Sequence, residues 1–325
     1  MTTPAMTTPD TMPSAETTLV AYKSDPVRGA VWHEIFSREA PDLRLVDWAP
    51  EGEAADARFL VAWTPPDDLP RAMPRLEALF CIGAGIDHLP VAALPPAVQV
   101  VRMVDPNLTA SMVEYVVMAV LALHRDMPFY RSEQAAGRWT PRPVRPAATR
   151  RVGIMGLGVL GQAAARAVAG FGFPVRGWSA TPKSLDGIET FAGDAALGDF
   201  LAGTDILVCL LPLTPATRGL LDRRLFDRLP EGAGLVNSGR GGHVVEADLL
   251  AALETGRLGA AILDVLDREP PSADHPLLSH PRVMVTPHVA SATQPEGAAR
   301  QVIAGVRAHL RGEPIPHAID RRQGY

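Results

Sequence analysis

The chain has 325 residues, of which 47% are apolar and 21% charged, and its 36 acidic and 31 basic residues give a formal net charge of −5. This length exceeds that of one typical hydrophobic core and predicts two domains in a soluble globular protein. Because the net charge is negative, the protein has no general electrostatic attraction for nucleic acid or for an anionic membrane surface, and neither is expected as a partner.

The N-terminal segment predicts neither secretion nor membrane insertion. Residues 1–17 lack the charged start and apolar core of a signal peptide, and we predict a disordered tail there. No apolar stretch further on is expected to reach the length of a membrane span, so the predicted location is cytoplasmic. Cys81 and Cys209 each lie in an apolar run and are expected to be buried free thiols. No metal site is predicted.

Residues 18 to about 105 alternate strand-like and helix-like patterns. VRGAVWHEIFSREAP reads as an amphipathic helix among apolar runs, which are TLVAYKSD, LRLVDWA, RFLVAWTPP, LEALFCIGAGIDHL and VQVVRMVD. Such alternation predicts a parallel sheet covered on both faces. Trp63 and the turn Gly83, Ala84 and Gly85 end two of these strands, where open α/β sheets bind ligands. A core tryptophan and an ordinary tight turn are the alternatives.

The next segment predicts a long helix followed by an irregular stretch. Asn107 to Met127 is apolar around most of its circumference, with Asn107 or Thr109 placed to cap it, and is expected to be buried, in part against another subunit. The following FYRSEQAAGRWTPRPVRPAATR predicts no element, and it could embrace a second subunit.

The stretch RRVGIMGLGVLGQ carries the strongest local signal. Val152 to Met155 reads as a buried strand, residues 162–171 as a helix, and between them stand three glycines with G-x-G-x-x-G spacing, Gly156, Gly158 and Gly161. In that context the glycines permit a tight turn, close approach of a pyrophosphate and close helix packing, and the helix N-terminus attracts the phosphates. The pattern favours a dinucleotide site over a purely structural turn.

The end of the next strand, PVRGWSAT, bears on the choice of cofactor. An NAD-preferring site usually has a carboxylate here, about 20 residues after the glycines. This chain instead has Ser179, Ala180 and Thr181, with Lys183 close behind. Two hydroxyls and a lysine accept a 2′-phosphate that an acid would repel, which favours NADP(H) over NAD(H). Alternatively, Ser179 and Thr181 only shape the turn.

Downstream patterns complete a second strand and helix series. A helix precedes the apolar strand Ile206 to Leu211, Leu225 to Pro230 is a short helix, EADLLAALETGRL is a longer one, and the last strands are GAGLVNSGRGG, AAILDVLD and VMVTPHVA. Arg240, Glu269 and His288 follow successive strands of this series. Each alone has an ordinary structural interpretation, but together they converge on the edge where a bound nicotinamide would lie. The final helix, QPEGAARQVIAGVRAHLRGE, is expected to cross back to the first domain.

These motifs in this order resemble the D-isomer-specific 2-hydroxyacid dehydrogenase family. The resemblance rests on GLGVLG, NSGRGG, the stretch from Asp264 to Pro270 and the Pro287-His288 pair, and it spans residues 18–325. Shared runs such as HVVE, LLAAL and HPRV make the chain most similar to bacterial glyoxylate/hydroxypyruvate reductases of the A type. The resemblance implies two Rossmann-like, doubly wound α/β domains with an active-site cleft between them, and a homodimer. Residues 18–106 plus 294–325 would form the substrate domain and residues 107–293 the dinucleotide-binding domain.

The resemblance also implies a role for each candidate residue. Arg240 would hold the substrate and polarise its carbonyl group, His288 would donate the proton during reduction, and Glu269 would pair with His288 and orient its ring. Trp63 would line the substrate pocket, and the backbone N–H groups of Ala84 and Gly85 would bind the substrate carboxylate. The cofactor would contact Gly156, Gly158, Leu160, Gly161, Ser179, Thr181, Lys183, Leu211, Pro212, Thr217, Ser238, Asp264 and Ala290.

The sequence as a whole therefore predicts NAD(P)H-dependent reduction of small 2-oxo acids, with glyoxylate and hydroxypyruvate as the expected substrates. Ala180 stands where a phosphate-binding arginine would be expected, and Ser238 stands where a small apolar residue is common. Two alternatives stay open: a 2-hydroxyacid dehydrogenase for a larger or aliphatic substrate, and a non-catalytic protein that senses nucleotides.

Overall fold

The computed structural model describes residues 17–83, 85–86, 89, 91–104, 106–291 and 293–320. The predicted tail, apart from residue 17, and the predicted substrate residue Ala84 lie outside the described residues. The chain divides into two compact units. Within the described range, the first unit comprises residues up to 103 together with residues 295–320, and the second comprises residues 104–294.

The strands and helices of the described residues alternate along the chain. The strands are β1 (Thr18–Lys23), β2 (Leu43–Asp47), β3 (Phe59–Ala62), β4 (Ala78–Cys81), β5 (Gln99–Val101), β6 (Val152–Met155), β7 (Val175–Ser179), β8 (Glu189–Ala192), β9 (Ile206–Cys209), β10 (Ala233–Asn237), β11 (Leu258–Leu263) and β12 (Val283–Val285). The α-helices are α1 (Pro26–Glu39), α2 (Leu69–Ala72), α3 (Pro106–His124), α4 (Met127–Ala135), α5 (Val159–Ala169), α6 (Leu197–Ala202), α7 (Arg223–Phe226), α8 (Glu246–Glu254), α9 (Pro276–Ser279) and α10 (Pro295–Leu310).

The first unit is built on a parallel sheet with the strand order β2-β1-β3-β4-β5. Its apolar strands are covered on both faces, as the alternation of patterns predicted. On one face the aromatic side chains of Trp32 and Phe36 from α1 pack with Val302 of α10. The strand order reverses direction between β1 and β3, so a switch point lies at the carboxyl ends of these two strands. Trp63 follows β3 at this edge.

The second unit contains a parallel sheet with the order β12-β11-β10-β9-β6-β7-β8. Helices α3 and α5 cover one face, where Val116 and Val168 are buried. Residues of α6, α7 and α8 cover the other face, with Phe200, Phe226 and Leu253 in the core. The order reverses direction at β6 and β9, and the three-glycine turn follows β6. This is the position at which a doubly wound sheet binds a dinucleotide.

Several elements differ from the sequence-based prediction. Strand β8 (Glu189–Ala192) was not predicted, because this edge strand has one neighbour and its half-exposed ETFA sequence lacks an apolar run. Helix α4 (Met127–Ala135) occupies part of the stretch in which no element was predicted. Helix α5 begins at Val159 rather than Gln162, and α3 begins at Pro106, so that Asn107 and Thr109 lie inside the first turn instead of capping it.

Helix α3 also corrects the expectation about apolar length. Residues Asn107–His124 are long and apolar enough to span a membrane, as judged by length and composition alone. The expectation that no stretch reaches this length is therefore wrong. In this structure Val116, Ala119 and Val120 are completely buried in the core of the second unit. A buried helix of this kind satisfies the same criterion as a membrane span.

The two cysteines are buried thiols that are not joined in a disulfide, as predicted. Burial raises the pKa of the Cys209 thiol to about 12. A thiol with such a pKa forms very little of the nucleophilic thiolate near neutral pH, so Cys209 acts as a small apolar side chain in the core.

Candidate active site

The turn after β6 requires glycine at two of its three glycine positions. Gly156 has a φ of +103°, which side chains disfavour, and a Cβ atom there would lie 2.7 Å from the carbonyl oxygen of Leu210. A Cβ atom on Gly161 would lie 1.7 Å from the carbonyl oxygen of Gly156. The first turn of α5 therefore packs directly on the strand end, which is the arrangement that the G-x-G-x-x-G spacing predicted.

Gly158 differs from its two neighbours because a Cβ atom there would meet no atom of the described residues within 4 Å. It precedes α5 and has no side chain to cap the N–H groups of the first helical turn. Those N–H groups and the helix dipole suit an anion, and open space in front of Gly158 leaves room for it. Leu160 is half-buried in the same turn. The residues present thus fit the pyrophosphate of a dinucleotide.

At the end of β7, the predicted adenosine-ribose residues differ in exposure. Ser179 is buried, and its Oγ donates to the carbonyl oxygen of Thr181 at 2.7 Å. Thr181 and Lys183 are exposed, and the carbonyl oxygen of Lys183 accepts from Thr190. The hydroxyl of Ser179 shapes the turn in this structure, whereas the side chains of Thr181 and Lys183 face solvent.

The ends of β9 and β10 lie side by side in the sheet. Leu211 is buried, and the carbonyl oxygen of Pro212 accepts from the Thr217 hydroxyl at 2.7 Å. Ser238 is also buried, and its Oγ atom has no hydrogen-bond partner among the described residues. A buried hydroxyl without a partner is costly, and a polar group of a bound cofactor could satisfy it.

Arg240 lies three residues beyond β10 and is half-buried. Asn237 shapes its turn, because its Nδ2 donates to the carbonyl oxygen of Arg240 at 3.0 Å and its Oδ1 accepts from the N–H of Gly239 at 3.1 Å. One guanidinium N–H group donates to the carbonyl oxygen of Gly239 at 2.9 Å. A Cβ atom on Gly241 would lie 1.9 Å from the backbone of Leu266, so this turn packs directly on the segment that follows β11.

Asp264 holds the loop that carries His288. Its Oδ1 accepts from the Thr286 hydroxyl at 2.6 Å and the N–H of Val289 at 2.9 Å, and its Oδ2 accepts from the N–H of Ala290 at 2.9 Å. Its backbone carbonyl oxygen accepts from the N–H of His288 at 2.9 Å. Asp264 is 2% exposed. Its carboxylate therefore has a structural task in this loop beyond the cofactor contact that the sequence suggested.

His288 and Glu269 form the most direct contact among the predicted catalytic residues. Nδ1 of His288 lies 2.7 Å from Oε2 of Glu269, and Oε1 of Glu269 accepts from the N–H of Leu266 at 3.0 Å. About a third of each side chain remains exposed. Because Glu269 occupies Nδ1, the Nε2 atom of His288 is the ring nitrogen that could serve a substrate.

The structure thus gathers Arg240, Glu269, His288 and the predicted cofactor residues at the carboxyl edge of one sheet. Sequence analysis missed Asn237, Tyr115 and His243. The Tyr115 hydroxyl lies 2.7 Å from that of Thr286, while the Asn237 side chain shapes the Arg240 turn. An asparagine at a strand end close to a glycine was a usable signal for a turn. The partner of Tyr115 and the Pro212 partner of His243 are distant in sequence and gave no such signal.

The first unit holds the remaining candidates at the edge of its own sheet. A Cβ atom on Gly83 would lie 2.5 Å from the ring of Trp63, so the indole packs directly on this glycine. Trp63 is 37% exposed, and the carbonyl oxygen of Gly85 accepts from the thiol of Cys81 at 3.4 Å. Trp63 therefore combines a packed face with an exposed one, and it is not a core tryptophan. Among the described residues, no group of three or more His, Cys, Asp or Glu could hold a metal ion.

Comparison with known proteins identifies relatives over almost the whole chain. Residues 117–290 match the family model of the D-isomer specific 2-hydroxyacid dehydrogenase, NAD binding domain. Glyoxylate/hydroxypyruvate reductase A of Yersinia enterocolitica is 38% identical over 300 residues, which cover 90% of this chain and 96% of that protein. A protein of the same name from Klebsiella pneumoniae is 39% identical over the same shares of the two chains.

Solved structures lead to the same family. A D-isomer specific 2-hydroxyacid dehydrogenase from Xanthobacter autotrophicus, in complex with NADPH and MES, is 40% identical with a TM-score of 0.88, covering 95% of this chain and 100% of that one. An NADPH-dependent glyoxylate/hydroxypyruvate reductase from Sinorhizobium meliloti, in complex with NADP and sulfate, is 36% identical with a TM-score of 0.87 and the same coverage. The predicted resemblance and the predicted fold class are confirmed. The chain belongs to the D-isomer-specific 2-hydroxyacid dehydrogenases, a family of nicotinamide-dependent oxidoreductases.

Proposed function

We propose that this protein reduces small 2-oxo acids, above all glyoxylate and hydroxypyruvate, to 2-hydroxy acids. The observation that carries the proposal is the pair formed by His288 and Glu269, whose Nδ1 and Oε2 atoms are 2.7 Å apart on the sheet edge that also carries Arg240. A nucleotide-binding protein without activity would not need an oriented proton donor at this edge. The names of the relatives from Yersinia and Klebsiella support the choice of substrates.

In this proposal Arg240 binds the anionic substrate. A guanidinium group stays charged at every physiological pH and offers several donors in one plane, which suits a carboxylate and the neighbouring 2-oxo oxygen. It also stabilises the negative charge that develops on that oxygen during reduction. Arg240 is half-buried, so its charge is less screened than that of a surface arginine.

His288 donates the proton in the proposed reaction. Glu269 accepts from Nδ1, so the proton that moves is the one on Nε2, and it is delivered to the 2-oxo oxygen as that atom gains charge. In the reverse direction, the same Nε2 atom accepts a proton from the 2-hydroxyl group. Glu269 is itself held by the N–H of Leu266 at 3.0 Å, which orients its carboxylate and through it the imidazole.

The electron donor in this proposal is NADPH, with NADH as a weaker alternative. When bound, the reduced nicotinamide supplies the hydride for the 2-oxo carbon. Gly156, Gly158, Leu160 and Gly161 would hold the pyrophosphate, Thr181 and Lys183 the ribose phosphate, and Ser179 their turn. The nicotinamide end would be bound by Leu211, Pro212, Thr217, Ser238, Asp264 and Ala290. The NADPH and NADP complexes of the relatives from Xanthobacter and Sinorhizobium support this preference.

The substrate-binding roles of Trp63, Ala84 and Gly85 in the first unit are part of the same proposal. The exposed face of the Trp63 indole would limit the size of the substrate, which favours two- and three-carbon acids over larger ones. In this proposal the protein is a cytoplasmic homodimer that acts on small molecules and binds neither nucleic acid nor membranes.

A parallel kinetic assay tests the proposal. Oxidation of NADPH and of NADH would be followed by absorbance with glyoxylate, hydroxypyruvate, pyruvate and a branched 2-oxo acid. We expect the highest kcat/KM with NADPH and the two small polar acids. Faster turnover of the branched acid would indicate a dehydrogenase for aliphatic substrates. Tight NADPH binding without turnover of any acid would contradict an enzymatic role and favour a nucleotide sensor.

Substitution of Lys183 tests the cofactor preference separately. Lys183→Ala removes the exposed cation proposed to contact the 2′-phosphate, so KM for NADPH should rise about tenfold while KM for NADH stays unchanged. Arg166, an exposed cation on helix α5, provides the control variant Arg166→Ala, which should alter neither constant. Equal effects of Lys183→Ala on the two cofactors would rule out a 2′-phosphate contact.

A further inference from the structure

A buried histidine, His243, lies between two turns of the candidate site. It ends the short 3₁₀ helix Gly241–His243 after Arg240, and none of its surface is exposed. Its Nδ1 accepts from the backbone N–H of Arg240 at 3.1 Å. Because Nδ1 accepts, the ring proton is assigned to Nε2, which donates to the carbonyl oxygen of Pro212 at 3.2 Å. One imidazole therefore joins the turn after β10 to the turn after β9.

The backbone of Gly239 packs against this ring. A Cβ atom on Gly239 would lie 3.0 Å from both Cε1 and Nδ1 of His243 and 3.1 Å from the carbonyl oxygen of Leu211. The imidazole, the Gly239 backbone and the Leu211 backbone are thus in close contact. A displacement of one turn must be transmitted to the other, because closely packed groups cannot absorb it.

The main chain of His243 is held by contacts that do not involve its ring. Its carbonyl oxygen accepts from the N–H of Leu221 at 2.9 Å, and the carbonyl oxygen of Gly242 accepts from the N–H of Gly219 at 2.8 Å. A change of the side chain alone should therefore leave this segment in place. Its effect would fall on the two hydrogen bonds of the ring described above, those with the amide nitrogen of Arg240 and the carbonyl oxygen of Pro212.

We infer that His243 is a positioning residue that holds the turn carrying Arg240 in register with the turn at Leu211 and Pro212. The inference rests on the proposed function, in which Arg240 binds the 2-oxo acid and the other turn contacts the nicotinamide end of the cofactor. Its two ring nitrogens serve these two sides separately. Nδ1 positions the substrate side and Nε2 positions the cofactor side, so that acid and cofactor meet in a fixed relative geometry.

Two amide substitutions separate the two contacts. The side-chain oxygen of asparagine can take the position of Nδ1, and the longer amide of glutamine can take the position of Nε2. We expect His243→Asn to retain KM for the 2-oxo acid within about twofold and to weaken NADPH binding about fivefold, since it loses the bond to Pro212. His243→Gln should show the reverse, with a KM for the acid raised about fivefold and NADPH binding retained.

The measurements are steady-state kinetics with glyoxylate and NADPH, and NADPH titration by fluorescence. The control variant is His280→Asn, because Nδ1 of His280 also accepts a backbone N–H, from Arg282 at 3.1 Å, in the loop before β12. It should match wild type in every constant. Wild-type kinetics and NADPH affinity in both His243 variants would overturn the inference, as would equal losses of all constants in the two variants, which indicate a purely structural histidine.

A further measurement on the wild-type protein applies even if the variants do not fold. Nitrogen NMR of ¹⁵N-histidine-labelled protein should show His243 with its proton on Nε2, protected from solvent exchange. A proton on Nδ1 would overturn the inference. Arg240→Ala, assayed in parallel, tests the proposed function itself. If Arg240→Ala keeps wild-type kinetics, the proposed function fails, whereas loss of activity there with unchanged His243 variants contradicts only the positioning role.

Discussion

His288 adopts a backbone conformation that residues with a side chain rarely take, with a φ of 55°. The loop is held in this conformation by Asp264, whose carboxylate and carbonyl oxygens accept from residues 286 and 288–290. Non-glycine residues in the left-handed region are enriched at functional sites. The conformation points the ring of His288 to Glu269 and leaves part of its surface exposed.

The proton-donor role of His288 can be tested by removing its ring. His288→Ala should lower kcat with glyoxylate by about 10²- to 10⁴-fold, the usual contribution of a positioned acid, while the dissociation constant of NADPH stays within about twofold. Stopped-flow kinetics and fluorescence titration measure the two quantities. Glu269→Gln serves as the companion variant, because it keeps the size of the side chain and should reduce kcat less. A collapse of NADPH binding in His288→Ala would mean that His288 is structural.

Substitution by alanine is expected to affect stability at Gly161 but cofactor binding at Gly158. In Gly161→Ala the new Cβ atom would lie 1.7 Å from the carbonyl oxygen of Gly156, so we expect a loss of stability of about 3 kcal/mol or more. In Gly158→Ala the Cβ atom meets no described atom within 4 Å, so the melting temperature should change little. If the pyrophosphate approaches at Gly158, NADPH binding by that variant should still weaken about tenfold. Calorimetry measures the melting temperatures of the two variants, and titration measures their NADPH affinities. Unchanged NADPH affinity in Gly158→Ala would contradict a pyrophosphate contact at Gly158.

At the scale of elements, helix α10 is attached to α1 and to the turn before β2 by ion pairs as well as by apolar packing. The Arg300 guanidinium donates to Glu39 at 2.9 and 3.0 Å, and Arg307 donates to Asp42. The Arg300 and Arg38 side chains lower the pKa of Glu39 to about 2. Arg307 similarly holds the pKa of Asp42 below its ordinary value. Residues that are more than 250 positions apart in the chain are thus joined within one unit.

The lowered pKa of Glu39 predicts a pH-dependent contribution to stability. A carboxyl group whose pKa falls on folding stabilises the folded state fully above its ordinary pKa of 4.5, and this contribution is lost as the pH falls towards about 2. Arg300→Met should therefore lower the melting temperature at about pH 7, and the difference from wild type should shrink as the pH falls below about 4. Thermal unfolding followed by circular dichroism over this range measures it. The exposed Arg166 of the second unit supplies the control variant Arg166→Met, and a pH-independent difference for Arg300→Met would contradict the ion-pair explanation.

Elements with strong apolar patterns were predicted more successfully than elements that depend on distant neighbours. The apolar run before the glycine turn corresponds to β6, and the run from Ile206 corresponds to β9. The helix predicted from Asn107 corresponds to α3, and the ends of these elements are shifted. Strand β8 has no apolar run, and it exists because β7 offers it backbone partners. Helix α4 was missed because one of its buried positions is the polar residue Glu133. Glu133 pairs there with Arg138, a contact that the apolar pattern does not indicate.

At the scale of the whole molecule, the segment between α4 and β6 exposes apolar side chains. Trp139 is 98% exposed and Val144 is 73% exposed. The segment is attached to α4, because the N–H of Arg142 donates to the Tyr130 hydroxyl at 3.0 Å and the Arg142 guanidinium lies 3.6 Å from the Phe129 ring centroid. Exposed aromatic residues on an ordered segment are typical of protein interfaces. This supports the proposed homodimer and a subunit-embracing role for the segment.

Light scattering coupled to size-exclusion chromatography tests this proposal. We expect the wild-type protein to elute with the mass of two chains. Trp139→Ser should weaken association of the two chains by at least about tenfold, because a tryptophan that becomes buried in an interface contributes strongly to binding. Val27→Ser is the matched control, since Val27 is 80% exposed on α1 of the first unit, and this variant should remain dimeric. A monomeric wild-type protein, or a Trp139→Ser variant that dimerises as wild type does, would contradict the proposed interface.

The sequence by itself determined the fold class, the family and the place of the glycine turn, because apolar periodicity and glycine spacing are local properties of the chain. It also indicated Arg240, Glu269 and His288, since each follows a predicted strand and parallel strands end at one edge. Only the tertiary structure decided which atoms meet. The 2.7 Å contact of His288 with Glu269, the orphan hydroxyl of Ser238 and the bridge made by His243 depend on strand order and loop packing. Strand order and loop packing bring together residues far apart in the chain, such as Glu269 with His288 and Pro212 with His243, and no local pattern encodes these contacts.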